Sequence, residues 1–287
     1  MGIDGRDEVT NEVQCQAARI KSRRVAVIGF GAIASDLVTA LLARGEELYR
    51  LGVLLDPGSP SRSRVPAQCA LLSSYEDLRD FGPQLVVEAA GHAAVQAHVP
   101  ACLELGLPVV ITSVGALHEI ALMETLVSLA EEKGGRIILP SGALGGLDYV
   151  RAARGAAGLA IRYESRKPAG AWRDELARLG HDPDLIEDEV VLYHGSARGA
   201  ASAYPSNLNV AATLALAGLG FEETEVSVVV DPKAKGNTHT IVGESELGTI
   251  RVEIANRPSP RNPKSSWIVS RSLLAAVEQH FSALVML

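Results

Sequence analysis

The chain has 287 residues, a length that accommodates two domains. Hydrophobic residues make up 47% and charged residues 21%, ordinary globular usage that excludes fibrous and disordered classes. With 34 acidic against 27 basic side chains, a formal charge of -7, the composition argues against the basic stripe that displaces counterions from phosphates, so nucleic acid is not an expected partner.

Cys15, Cys69 and Cys102 are widely spaced, with no CxxC pair and no clustered histidines. Neither a disulfide framework nor a metal site is expected, and a reducing cytoplasm is the simplest compartment. Residues 1–23 are polar and acidic at their start, lack the apolar core of a signal peptide, and read as a flexible extension. The longest apolar stretch, Leu208 to Leu219, is glycine-interrupted and falls short of the roughly 20 residues of a membrane span, so no membrane association is expected.

In chain order, RVAVIG predicts a short buried strand and SDLVTALLAR a helix with apolar residues three and four apart. YRLGVLLD supplies a second strand. After an ambiguous stretch come the strand LVVEAAG, the helix AAVQAHVPACLEL, the strand PVVITS, the helix ALMETLVSLAEE and the strand RIILPSG. Apolar strands alternating with amphipathic helices mean a parallel sheet covered on both faces, a Rossmann-type doubly wound α/β unit. Beyond Gly142 the rhythm changes to the strands GLAIRYES, VVLYHG, TEVSVVV, THTIVG and GTIRVEI around one helix, NVAATLALAG, which predicts an α+β domain on a mixed or antiparallel sheet. A turn-rich segment, RPSPRNPKSS, precedes a long amphipathic helix over SSWIVSRSLLAAVEQHFSALVM, expected to pack back on the first domain. The expected division is therefore residues 24–142 with 265–287 as one domain, and 143–264 as the second.

Gly29, Gly31 and Ala34 in GFGAIA fit G-x-G-x-x-A between a strand and a helix, the context in which that motif has a mechanism. Gly29 permits the tight turn and Gly31 leaves room for a pyrophosphate. Ala34 lets helix and strand pack closely, while the amides of Ala32, Ile33 and Ala34 at the helix start face the anion. Asp56, ending the second strand, lies near the ~20-residue offset at which an acid accepts from the adenosine ribose hydroxyls, which favours NAD. It also fits a turn-forming Asp before Pro57. Arg62 and Arg64 follow in a loop rich in Ser and Pro, able to fold a guanidinium over a 2'-phosphate, so NADP stays open as a cofactor.

Ligands of such sheets lie beyond the carboxyl ends of the strands. The segments to search are Gly29 to Ala34, the Ala89, Ala90 and His92 turn, Ser113 to Ala116, and SGALGG around Ala143. A nicotinamide cofactor implies hydride transfer, some side chain must handle the accompanying proton, and imidazole, with an unshifted pKa near neutrality, is a candidate. Among the seven histidines, His239 lies in GNTHTIVG with the polar neighbours Asn237, Thr238 and Thr240, unusual in an apolar strand, although an ordinary strand histidine fits the same pattern. Asn209 offers an amide able to donate to and accept from the nicotinamide carboxamide. Asn207 is at least as good a helix cap. Lys264, Arg198 and Asn207, by the start of the Asn209 helix, are candidate partners for an anionic substrate.

GFGAIA, VVEAAG, PSGALGGLD, HGSARGAASAYPSNLNVAATLALAG, GNTHTIVG and RPSPRNPKSS, in this order, resemble the prokaryotic L-aspartate dehydrogenases from Arg24 onward. The resemblance implies NAD(P)-dependent oxidation of L-aspartate to iminosuccinate, which hydrolyses to oxaloacetate and ammonia, with reductive amination as the reverse. It further implies His239 as the catalytic residue, NAD contacts at Ala143 and Asn209, a homodimer, and a link to NAD biosynthesis. The competing readings are another two-domain reductase, related to dihydrodipicolinate reductase or homoserine dehydrogenase, and a dinucleotide sensor without chemistry. A cysteine-dependent semialdehyde dehydrogenase is disfavoured because Cys69 and Cys102 fall away from the expected catalytic edge.

Overall fold

The computed structural model describes residues 22–204 and 209–286. Its first unit runs β1 (Arg23–Ile28), α1 (Ala32–Leu42), β2 (Tyr49–Leu54), β3 (Ala70–Leu72), α2 (Tyr75–Phe81), β4 (Leu85–Glu88), α3 (His92–Glu104), β5 (Pro108–Ile111), α4 (Ile120–Lys133) and β6 (Arg136–Ile138). The six strands are all parallel, in the order β3-β2-β1-β4-β5-β6. The winding reverses between β1 and β4, and the crevice of a doubly wound sheet opens there. The ambiguous stretch before β4 holds a 3-10 turn over Pro60–Arg64, then β3 and α2. A reciprocal cap starts α2: the Ser74 hydroxyl accepts from the Asp77 amide and the Asp77 carboxylate accepts from the Ser74 amide.

Side-chain alternation along β1 assigns the two faces of the sheet. Val25 and Val27 pack with Leu37, Val38 and Leu41 of α1, and Ala26 and Ile28 with Val95, Val99 and Leu103 of α3. The second core continues without a break into the second unit, through Val114, Leu144, Val150, Tyr163 and Val228.

The second unit comprises α5 (Leu147–Ala152), β7 (Ala160–Lys167), α6 (Arg173–Arg178), β8 (Val190–Ser196), α7 (Ala197–Ala203), α8 (Asn209–Ala217), β9 (Thr224–Val230), β10 (Asn237–Ser245) and β11 (Gly248–Asn256). Its sheet is mixed, in the order β11-β10-β7-β9-β8, with β7 and β9 parallel and the other pairs antiparallel. Helices α5, α6 and α7, with 6, 6 and 7 residues, are too short to have left a periodic signature in the sequence.

Two segments differ from expectation at the carboxyl end. RPSPRNPKSS forms a small hairpin of β12 (Pro258–Ser259) and β13 (Asn262–Ser266), which takes the two serines away from the helix that follows. That helix, α9, spans only Ile268–His280. Leu273, Leu274 and Val277 share the core of Val25, Val27 and α1, and just past the helix the Phe281 ring packs edge-on at 6.3 Å against Tyr49. Leu284, Val285 and Met286 beyond it are exposed.

Candidate active site

The glycine turn closes on its neighbour across the switch point. Gly29 has φ +90°, a left-handed conformation that disfavours any side chain, and a Cβ there would stand 2.5 Å from the Ala90 Cβ. Gly31 differs: its φ is -78°, and a Cβ would meet nothing within 4 Å. The fold needs glycine at position 29, whereas at position 31 the space is open. This is the shape expected if a pyrophosphate is to approach the backbone. Gly31 caps α1 without a side-chain hydrogen bond, so no cap side chain occupies the first amides of the helix, those of Ala32, Ile33 and Ala34, the groups that suit an anion at a helix start. The residues present thus fit a dinucleotide.

Asp56 stands exposed just past β2. Arg62 donates to the Leu55 carbonyl and the Ser73 hydroxyl, and Arg64 to the carbonyl of Phe30 within the glycine turn. An acid and two tethered guanidinium groups therefore flank the same edge, a combination compatible with a free ribose hydroxyl or a 2'-phosphate.

Beneath the turn, the fully buried Glu88 carboxylate accepts from the amides of Ala90, Gly91 and Ser113 and from the Ser113 hydroxyl, locking the ends of β4 and β5 together. Asn209, first residue of α8, reaches across from the second unit. Its Oδ1 accepts from the Gly115 amide at 2.9 Å and lies 3.1 Å from His92 Nε2. The amide therefore does not offer a ligand both its ends. Its carbonyl joins the two units, which leaves the amino end for a cofactor carboxamide.

An open cleft of about 690 Å³, mouth included, lies between the units. Ile33 of the glycine turn, Ala143 and Asn209 line it from one side; His239, Asn237 and Lys167 line it from the sheet of the second unit. Alternation explains the second set. Along β7 the buried positions are Ile161, Tyr163, Ser165 and Lys167, and along β10 they are Asn237, His239 and Ile241. His239 pairs with Ser165 in register, so both polar series fall on one covered face.

His239 is 3% exposed. Its Nδ1 lies 2.8 Å from the Tyr163 hydroxyl, and its Nε2 is buried without a hydrogen-bond partner among the described residues. Burying such a nitrogen unpaired is costly unless a ligand completes it. Thr112 Oγ1, at the end of β5 on the same cleft, is a second buried atom without a partner. Burial, and secondarily the Lys167 charge, push the imidazole from 6.5 down to about 4. The expectation of an unshifted imidazole is thus corrected: burial holds it well below its ordinary value. Burial also pushes Lys167 down to about 8, opposed by Glu175, and raises Tyr163, which keeps its proton.

The remaining expected residues fall elsewhere. Arg198 is outside the cleft: it pairs with Glu222, donates to the His118 carbonyl and lies over the Phe221 ring, so its donors are committed to holding α7 against the first unit. It is not a candidate for a substrate carboxylate. Asn207 lies outside the described residues, and for Lys264 only the backbone, in β13, is described. Ala89 and Ala90 form the wall against Gly29. Lys167, Tyr163 and Thr112 were absent from the sequence reading. The alternation I-x-Y-x-S-x-K in AIRYESRK was the available signal for the first two, since it puts a lysine on the face of a buried Ile and Tyr. Cys69 and Cys102 are buried thiols with pKa values raised to about 11 and about 12, which removes the cysteine-nucleophile alternative for both.

Residues 148–280 match the family model described as aspartate dehydrogenase, C-terminal, and residues 29–140 match that of the homoserine dehydrogenase NAD binding domain. The chain is 46% identical to L-aspartate dehydrogenase 2 of Bordetella bronchiseptica over 261 residues, 91% of this chain and 98% of that protein. It belongs to the L-aspartate dehydrogenase family. The L-aspartate dehydrogenase of Ruegeria pomeroyi is 39% identical over 91% of this chain and 94% of its own. The crystal structure of aspartate dehydrogenase from Thermotoga maritima superposes with a TM-score of 0.73 at 25% identity, covering 93% of this chain and all of that one.

Proposed function

We propose that this chain oxidises L-aspartate to iminosuccinate, with NAD and also NADP as hydride acceptor, and catalyses the reverse amination of oxaloacetate with ammonia. The observation that carries the reading is the buried, unpartnered Nε2 of His239 facing a cleft whose other wall is the glycine turn and Asn209. A bound nicotinamide ring supplies the hydride acceptor. The amides of Ala32 to Ala34 and the open space at Gly31 suit its pyrophosphate, with Ala143 and Asn209 beside the ring and Asp56 toward the ribose.

His239 acts as the base. The tautomer with its lone pair on Nε2 is the one in which Nδ1–H donates to the Tyr163 oxygen, so Tyr163 orients the ring. Nε2 takes a proton from the substrate ammonium; the resulting amine supports loss of hydride from Cα and becomes the protonated imine. The imidazolium then returns its proton to solvent. In the reverse direction it donates that proton to the product amine. An imidazole at about 4 is a weak base, but two substrate carboxylates entering beside it favour its protonated form and raise its proton affinity when it is needed.

The proposal extends to the domain roles: residues 24–142 with 265–287 for cofactor, 143–264 for substrate and dimerisation, and 1–23 as an extension. The shared core of α9 and α1 supports returning the last segment to the first domain. A homodimer in the cytoplasm, supplying iminosuccinate to NAD biosynthesis, completes the reading. No helix among the described residues is long and apolar enough to cross a membrane. The test is absorbance at 340 nm with L-aspartate and either nucleotide, across a panel of amino acids. Aspartate-dependent growth of the signal is expected; cofactor binding without turnover of any substrate would point to a sensor instead.

A further inference from the structure

Of the hydroxyls that line the cleft, all but one are committed within the protein. Ser141 shares a hydrogen bond with Ser272, Thr213 donates to the Asn209 carbonyl, and Ser265 and Ser266 accept from Asn262 and Asn237. Thr112 Oγ1 is buried and has no partner among the described residues. A hydroxyl carries one donor and two lone pairs, and sealing them all from water is costly unless a ligand engages them. The fold sets where this hydroxyl stands. Thr112 directly follows β5, and its amide donates to the Glu88 carbonyl at the end of β4, which pins its backbone at the carboxyl edge of the sheet.

Two observations say which ligand group it meets. In the order β2-β1-β4-β5, Thr112 stands two strand spacings, about 10 Å, from the glycine turn, on the side away from Asp56. A dinucleotide with its pyrophosphate at the turn and its adenosine ribose toward Asp56 extends its nicotinamide half in this direction. The second observation is a shortage of acceptors. A carboxamide needs a donor for its oxygen and an acceptor for its N–H groups. Asn209 has only its amino end to offer, because its Oδ1 accepts from Gly115, three residues beyond Thr112, and lies against His92. Asn209 therefore supplies the donor, and the lone pairs of Thr112 supply the acceptor.

We propose that Thr112 accepts a hydrogen bond from the carboxamide N–H of the bound nicotinamide and, together with Asn209, fixes which face of the ring turns to His239. The inference rests on the reading of the cleft as the nicotinamide site. A carboxamide turned end for end would set its N–H groups against the amino end of Asn209. A ring turned over about its glycosidic bond would carry the carboxamide away from both residues. The pair thus admits one orientation.

The test is calorimetric titration, without substrate, of wild type, Thr112→Val and Thr112→Ser. The ligands are NADH and its acetylpyridine analogue, in which a methyl group replaces the carboxamide nitrogen. Thr112→Val keeps the shape and removes the hydroxyl. Its affinity for NADH should fall about 2- to 10-fold, the range of one net hydrogen bond, while its affinity for the analogue stays that of wild type. Thr112→Ser should bind NADH nearly as wild type does. Undiminished NADH affinity in Thr112→Val, or an equal loss with both nucleotides, would overturn the proposal while leaving the nicotinamide site and the aspartate reading intact. A wild type that binds neither nucleotide would remove the reading of the cleft and the proposal with it. Should Thr112→Val fail to fold, Thr112→Ala takes its place in the same comparison.

Discussion

The two walls of the cleft are built by different means. At the glycine turn of the first unit, backbone sets the shape: Gly29 is held by the approach of Ala90, Gly31 leaves space, and α1 starts without a side-chain cap. On the covered face of the second sheet, side chains act: Lys167, Asn237 and His239 occupy positions that strand alternation would otherwise give to apolar residues. A backbone site tolerates little change of shape but is indifferent to side-chain chemistry. A side-chain site is the opposite, and substitutions should separate the two.

The sharpest separation is expected from His239→Ala, which should lower kcat by about 100-fold or more while leaving NADH affinity near wild type. Stopped-flow or steady-state rates with a fluorescence titration of NADH would measure both, and an unchanged rate would remove His239 from the chemistry. Gly31→Leu should do the reverse, weakening cofactor binding by about 10-fold or more through crowding of the pyrophosphate, with little change in melting temperature, since a Cβ at this position meets nothing within 4 Å. Tyr163→Phe removes the partner of Nδ1 and is expected to cost about 10-fold in kcat, one hydrogen bond's worth of orientation, with cofactor affinity preserved.

Gly29→Ala should contrast with Gly31→Leu by damaging the fold itself. Left-handed strain of about 1–2 kcal/mol, added to the 2.5 Å contact with Ala90, should lower the melting temperature by several degrees in a calorimetric scan. The smallest effect concerns pH. A base is active above its pKa, so with His239 at about 4 in the free enzyme, kcat/KM for L-aspartate should not lose its base as pH falls through 6.5, where an ordinary imidazole would. Folding stability has the matching sign: between 6.5 and about 4 the unfolded chain takes up a proton that buried His239 refuses, so stability declines as pH drops across that window. An acid limb centred near 6.5 would contradict the burial of the ring.

How much of this was legible follows the same division. The glycine turn could be read because its signal is local, a strand, three small residues at fixed spacing and a helix, all within twenty positions of Arg23. Asp56 was legible as the residue that follows the second strand. His239 was visible as a polar interruption of an apolar strand, but its partner Tyr163 lies 76 residues away, and only pairing of β7 with β10 brings the two together. Lys167 was overlooked because a lysine ending a strand looks like a solvent-facing residue unless the phase of the alternation is followed to its last position. Arg198 failed as a substrate candidate for the converse reason: its place near the Asn-rich block says nothing of Glu222 and His118, which hold it outside the cleft.

By itself, then, the order of residues determined the main alternation of strands and helices, though not the short elements, the change from parallel to mixed sheet near Gly142, and the family. These depend on periodicity and spacing, which the chain carries locally. Only the tertiary structure decided which charged groups meet across the cleft, that Asn209 commits its carbonyl to Gly115, and that the imidazole is pushed down by burial beside a lysine. Such outcomes depend on long-range packing and on how far water is excluded, quantities that no stretch of sequence holds on its own.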